Sequence, residues 1–343
     1  MKLKLMVSCF LLAACFTAFS QERQNMAVVE KGLVMAPLVA DQSGSQNFAG
    51  AKNYSIQADT SVIRVSLLGT GTPKPIMERF GPSILVQAGS ETLLFDAGRG
   101  CLQRIVQLNL SYKKIDALFL THLHSDHIVG LPDLWLTGCL KSKRVAPLIV
   151  FGPVGTDKMI EYLQKAFAYD IKIRIEDDKA TAEGCKLLAH EIQQGIIYEK
   201  NGVKVIAFEV DHYPIVPALG YRVEYNGHAV VLSGDTRYSE NLIAYSRGAD
   251  LLIHEVVIPP DTLNKSDPKY NVVAHHTTPQ QAAKIFNETK PKLAVYSHIS
   301  NPYGRNEQEL IKQTKANYSG QVILGEDLMT FLIGNTVSVM DKQ

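Results

Sequence analysis

Between His122 and His127 the chain places three histidines and an aspartate in six positions, "HLHSDH", directly after the apolar run "ALFL" and just ahead of Gly130 and Pro132. No other stretch restricts the fold as much. The apolar run reads as a buried strand, so the six residues emerge as a loop at the edge of a sheet, where functional side chains are usually carried. Gathering such groups in one loop costs free energy unless a partner satisfies them. Imidazole and carboxylate together suit a metal ion, with zinc expected first and manganese or iron as alternatives. Their alternation lets His122 and His124 converge on one metal while Asp126 and His127 reach a second.

Around this loop, short apolar runs alternate with amphipathic segments. "VIRVSLLG", "SILVQ" and "TLLFDAG" read as strands, "CLQRIVQLNL" as a helix, and "IDALFL" as the strand that delivers the histidine loop. A second series follows: the strand "PLIVFGP", a helix from Thr156 to Phe167, the strand "VKVIAFEV", and the hairpin "GYRVEYNGHAVVLSGD" with Asn226-Gly227 as its turn. "DLLIHEV", a helix from Thr278 to about Asn287, "KLAVYSH", a helix near Glu307 to Tyr318, and "VILGEDLMTFLIGNTVSVM" complete the chain. Strands alternating with helices, with hairpins at both ends, predict a layered sheet-and-helix sandwich, and no short repeat is present.

The first twenty residues are a separate object. Lys2 and Lys4 precede an apolar run from Leu5 to Phe16, and Ala18-Phe19-Ser20 supplies small residues for cleavage before Gln21, so residues 1–20 read as an export signal. "LAAC", ending at Cys15, resembles a lipobox, which leaves lipid anchoring at Cys15 as the alternative and the only expected membrane attachment. Residues 21–61 read as a leader and linker, and residues 62–343 as the domain. The expected location is periplasmic or secreted. Loss of the signal leaves 33 basic against 34 acidic residues, which excludes a strongly basic nucleic-acid binder. It also leaves Cys101, Cys139 and Cys185; at most one disulfide could form, and three free buried thiols is the simpler expectation.

With "HLHSDH" on the page, the sequence resembles the metallo-β-lactamase superfamily over roughly Val62 to Ile333. The resemblance implies an α/β fold, a four-layer αββα sandwich. It also implies a ligand set: His122, His124 and His212 for one metal, Asp126, His127 and His298 for the other, and Asp235 bridging both. Asp96, in "FDAG", is then expected to support the ligand loop by hydrogen bonds. His190 competes with His212 for the third position, but His212 stands at a strand end; His190 and His228 read as exposed or locally bonded.

"LLGTGTP", "RFGPS", "DAGRG", "GLPDL", "GYR", "GDTR", "HE" at His254 and "HHTTPQQAA" at His275 look like the ribonuclease Z and arylsulfatase branch. In that branch a Glu and a His manage a proton beside the metals, which implies Glu255 and His276 here, as catalytic residues or as supports for Asp235 or His298. Asp126 is expected to serve catalysis as well as metal binding. Export, and an acidic "IEDDKATAEG" where an RNA-gripping arm would want Lys and Arg, favour hydrolysis of a small anionic sulfate or phosphate ester, with arylsulfatase the leading case and nucleic acid not expected. A ribonuclease Z-like phosphodiesterase is the alternative; a lactonase or a metal-binding protein without turnover stands further back. Arg79, Tyr213, Arg237 and Tyr303 are candidate substrate-side groups, Trp135 reads as core, and a homo-oligomer is compatible with the sequence.

Overall fold

The structure is a computed structural model, and it describes residues 61–140 and 144–340. The export signal and nearly all of the expected leader lie outside the described residues. The strands, in chain order, are β1 (Ile63–Gly69), β2 (Ser83–Ala88), β3 (Glu91–Phe95), β4 (Ala117–Phe119), β5 (Leu148–Gly152), β6 (Leu187–Glu191), β7 (Gly195–Lys200), β8 (Val203–His212), β9 (Ile215–Tyr225), β10 (His228–Leu232), β11 (Leu251–Val257), β12 (Leu293–Ser300), β13 (Val322–Leu324), β14 (Thr330–Ile333) and β15 (Val337–Met340). They form two sheets, ordered β15-β14-β1-β2-β3-β4-β5-β6 and β13-β12-β11-β10-β9-β8-β7.

Alternation at period two explains the layering. Ala117 and Phe119 point between the sheets, where they meet Val205, Tyr221, Leu232 and Ile253, while Leu118 and Leu120 point outward under Leu131, Leu134 and Trp135. The second sheet repeats the scheme: Val230 and Leu232 face inward, and Val231 packs outward with Phe286, Ala282 and Leu242. Helices thus cover both outer faces, giving the expected four layers, and strands buried on both sides read as continuous apolar runs. Trp135 is fully buried, and its indole N–H donates to the Cys185 carbonyl at 3.0 Å, as a core residue should.

Local signals place several boundaries. The Asn226-Gly227 turn has both residues at positive φ, 51° and 79°, the geometry a two-residue hairpin requires. Helix Pro279–Thr289 starts at Thr278, whose hydroxyl and Gln281 form a reciprocal capping box. The stretch after Phe167 is regular. It forms helix Ala168–Glu176, then β6 and β7, with i,i+4 ion pairs Arg174–Asp170 and Arg174–Asp178 supporting the polar helix. The expectation of three free thiols is corrected. Cys139, on helix Leu131–Leu140, and Cys185, just before β6, meet as a disulfide, because the packing of that helix brings their Cα atoms to 4.9 Å. Cys101 stays free and buried, and burial pushes its thiol up to about 12.

Candidate metal centre

The strand directions decide where the chemistry collects. β3, β4, β5 and β6 are mutually parallel, as are β10, β11, β12 and β13. β8 lies antiparallel to β9, which is antiparallel to β10, so β8 and β10 point the same way. Asp96 follows β3, His122–His127 follow β4, His212 ends β8, Asp235 follows β10, and His298 lies near the end of β12. All of these sites sit at the carboxyl ends of strands, where open sheets place their ligands.

The histidine loop is held by Asp96. One carboxylate oxygen accepts from the Thr121 backbone N–H at 2.8 Å; the other accepts from the Thr121 hydroxyl at 2.9 Å and from His127 Nδ1 at 2.7 Å. The Thr121 hydroxyl has spent its proton on Asp96, so it accepts from His122 Nδ1 at 2.9 Å. His212 Nδ1 donates to the His275 carbonyl at 3.1 Å. These bonds engage Nδ1 of His122, His127 and His212 and so turn their Nε2 atoms toward one another. The loop is pressed against "FDAG" by Ala97 N–H to the His127 carbonyl (2.7 Å) and Gly130 N–H to the Ala97 carbonyl (2.8 Å). Glycine is required at 130, since a Cβ there would lie 2.2 Å from the Gly98 carbonyl oxygen.

Two donor groups result. His122 Nε2 and His212 Nε2 lie 2.9 and 3.4 Å from His124 Nδ1, separations that fit nitrogens sharing one cation at the roughly 2.0–2.1 Å bond length of zinc. Asp126, His127 and His298 make the second group, with His298 Nε2 at 3.3 Å and His127 Nε2 at 3.7 Å from Asp126 Oδ2. Asp235 Oδ2 stands between them, 3.9 Å from His122 Nε2, 3.8 Å from His212 Nε2, 3.4 Å from His127 Nε2 and 3.3 Å from His298 Nε2. The residues fit a metal. His127 Nε2 and Asp235 Oδ1 are buried with no hydrogen-bond partner, a costly state that a cation between the groups relieves.

His298 reaches this centre through an irregularity in its strand. Glu255 pairs with Ser297 but Val256 pairs with Ile299, so His298 is an extra residue bulged out of β12 at φ 43°. A bulge of this kind re-aims a side chain, and a non-glycine residue at positive φ marks strain held by its surroundings. Here Ile299 N–H donates to the Thr70 carbonyl at 2.9 Å.

The electrostatics divide the histidines. Burial holds His122 well below its ordinary range, lowers His124, and brings His212 to about 4, against the pull of Asp235. Burial also disfavours a charge on His127, but Asp235 and Asp96 outweigh it and raise its pKa well above normal. Asp235 is pulled well below the carboxylate range because the nearby histidines, His298 and His127 first, overcome its burial.

Glu255 and His276 lie beside the donors. His276 Nδ1 is 3.1 Å from Glu255 Oε2, while Glu255 Oε1 accepts from Thr277 N–H at 2.8 Å. Burial opposes a charge on His276, yet Glu255 raises it to about 9. His276 also lies within reach of Asp235 and His298 as a third potential ligand group. A cavity of about 430 Å³ opens over the centre, with Lys74 and Asn271 among its lining residues.

The other candidates separate clearly. His190 is exposed and stacks on Phe151, and His228 sits 3.4 Å from Asp250, so neither enters the site. Arg79 turns into the protein, donating to the Thr70 hydroxyl, the Gly325 carbonyl and Glu307, because the chain offers it three acceptors there. Tyr303 lies under the Lys269 ammonium, Tyr213 is exposed, and neither lines the cavity over the centre. Sequence reasoning missed Thr121, although its place between the "ALFL" strand and His122 was a usable signal. It also missed the His275 carbonyl, which no side-chain pattern could reveal.

Residues 91–299 match the model of the beta-lactamase superfamily domain. A ribonuclease Z of Mycobacterium bovis is 34% identical over 277 residues, covering 78% of this chain and 97% of the relative, and one of Mycolicibacterium gilvum is 33% identical over 95% of its length. Among solved structures, the metallo-β-lactamase fold protein YhfI of Bacillus subtilis superposes with a TM-score of 0.64 at 21% identity, covering 79% of this chain and all of that one. The short form of human tRNase Z gives 0.59 at 24%, covering 78% and 98%. These likenesses correct the expectation that nucleic acid is an improbable partner: the relatives matched along nearly their whole length are ribonucleases. They also fall on the ribonuclease Z side of the branch, not on the arylsulfatase side that the sequence favoured. An acidic surface stretch was a poor guide because one exposed segment does not set the chemistry of the buried site. The chain belongs to the metallo-β-lactamase superfamily, in its ribonuclease Z-like branch, and is a metal-dependent hydrolase.

Proposed function

We propose that this protein is a phosphodiesterase that cleaves RNA, with His122, His124, His212, Asp126, His127, His298 and the shared Asp235 holding two zinc ions. The near-full-length likeness to ribonuclease Z relatives carries this reading, and the double donor set supports the metal count. Bound metal ions supply Lewis acidity and bring the pKa of a water to the neutral range. The chain's own groups do the rest. Glu255 holds His276 protonated at neutral pH, with Nδ1 committed to the carboxylate and the other ring nitrogen free to give its proton to the departing oxygen. Thr277 N–H keeps the Glu255 carboxylate in place, and Lys74 gives the cavity wall a positive group for a neighbouring phosphate.

The chain is further proposed to be exported. Lys2, Lys4 and the apolar run to Phe16 support this, as does the Cys139–Cys185 bridge, a cross-link that persists in oxidising compartments. The mass of the mature protein distinguishes cleavage before Gln21 from lipidation at Cys15; an unprocessed cytosolic chain would overturn the proposal.

Parallel assays of the zinc-loaded protein on a 3′-extended RNA, an aryl phosphate diester and an aryl sulfate test the reaction. Cleavage of the RNA and the diester is expected, with loss of both on chelation and recovery on adding zinc. Sulfate release without diester cleavage would overturn it.

A further inference from the structure

We infer that Arg237 is a positioning residue that ties three parts of the metal centre together and is not a substrate-binding group. This rests on the metal-dependent reading above. Arg237 follows the shared carboxylate Asp235 by two residues, and its backbone N–H donates to the Asp211 carbonyl at 2.7 Å. Its guanidinium continues the same task. Nη1 lies 3.5 Å from Asp211 Oδ1 and Nη2 donates to the Tyr213 carbonyl at 2.9 Å, so the two residues flanking His212 are both held. Asp211 Oδ1 also accepts from Tyr213 N–H at 3.2 Å, which closes the bracket around His212.

The third nitrogen reaches another segment. Arg237 Nε donates to the Ala274 carbonyl at 2.6 Å. Ala274 is the last residue of helix Tyr270–Ala274, and the next two residues both matter: the His275 carbonyl orients His212, and His276 pairs with Glu255. Thr277 adds a parallel tie by donating its hydroxyl to the Thr236 carbonyl at 2.7 Å. A planar fork with three differently directed nitrogens joins the Asp235 loop, the end of β8 and the His275–His276 turn, which a lysine ammonium cannot do. Nε and Nη2 are each committed to a backbone carbonyl and Nη1 faces the Asp211 carboxylate, so the fork is turned toward protein segments.

The test uses the full mature chain with the variants R237Q and R237K. Three quantities are read: zinc retained in competition with a chelator, kcat and KM on an aryl phosphate diester, and the unfolding midpoint of the metal-free protein. For R237Q, zinc affinity and kcat are expected to fall about 10-fold or more, the range for partners that orient ligands, with KM within about twofold. R237K, which folds with minimal disturbance, is expected to recover only part of the loss. A rise in KM with kcat and zinc affinity unchanged would make Arg237 a substrate group, and full recovery in R237K would reduce its role to charge; either overturns the proposal. A fall in unfolding midpoint with zinc affinity and kcat unchanged would overturn it as well. Wild-type protein that holds no zinc would instead refute the metal-dependent reading, leaving the two failures distinguishable.

Discussion

The first sheet delivers four of the seven proposed ligands within six consecutive residues, whereas the second delivers three from strand ends 23 and 63 positions apart in sequence, at His212, Asp235 and His298. The loop half is held by near neighbours: Asp96 grips Thr121 and His127, and the backbone of Ala97 grips the same turn. The dispersed half depends on strand order, on a bulge that aims His298, and on ties between separate segments. A contiguous half can therefore keep its shape when one partner is lost, while a dispersed half has no local chain to fall back on. Asp235 links the two, since its Oδ2 faces histidines of both.

The largest expected effect comes from D235A, which should strip metal from both halves and remove turnover beyond the roughly 10²–10⁴-fold typical of deleting a proton-transfer group. Metal analysis and kcat check this; one full equivalent of zinc retained would show that the halves are independent. H276A comes next. It should lower kcat by about 10²-fold or more with zinc content intact, measured by metal analysis beside steady-state rates, and loss of zinc would place His276 among the ligands. D96N should cost about 10–100-fold in activity or metal affinity, with the His127 group affected before the His124 group. Equal loss from both groups in a zinc titration would contradict the neighbour-held picture.

The smallest effect separates His212 from His127 by sign. In metal-free protein His212 is depressed to about 4, so between pH 4 and its ordinary value of 6.5 the unfolded chain binds a proton that the folded chain does not. Stability then rises with pH through that window. His127 is raised well above 6.5, so its contribution is complete below 6.5 and is lost as pH rises through its folded pKa. Chelated H212A should make the acid limb of a stability-versus-pH curve shallower, with His122 and His124 supplying the rest, and chelated D96N should make the alkaline one shallower, with Asp235 supplying the rest. A wild-type curve flat from pH 4 to 6.5, measured by denaturant unfolding, would sink the assignment for His212.

Much of this was legible in the residues themselves. "HLHSDH" after "ALFL" announced a metal-binding loop at a strand end, Asn226-Gly227 a hairpin, and Thr278 a helix start. Asp96 was correctly expected to support the ligand loop, as its bonds to Thr121 and His127 show. Arg79 and Arg237 were candidates for the substrate side or for ordinary pairing, and sequence left that open because the backbone carbonyls they meet leave no trace in it.

Sequence alone determined the contiguous donor loop, the alternation that buries both faces of each strand, and the turns, because each depends on residues a few positions apart. Only tertiary structure decided that Asp235 stands between two groups, that His298 bulges from its strand, that Cys139 meets Cys185, and that Arg237 meets Asp211, Tyr213 and Ala274. Those outcomes depend on register and sheet-on-helix packing between residues far apart in the chain, where local preference is silent and the geometry is set by how the buried layers fit.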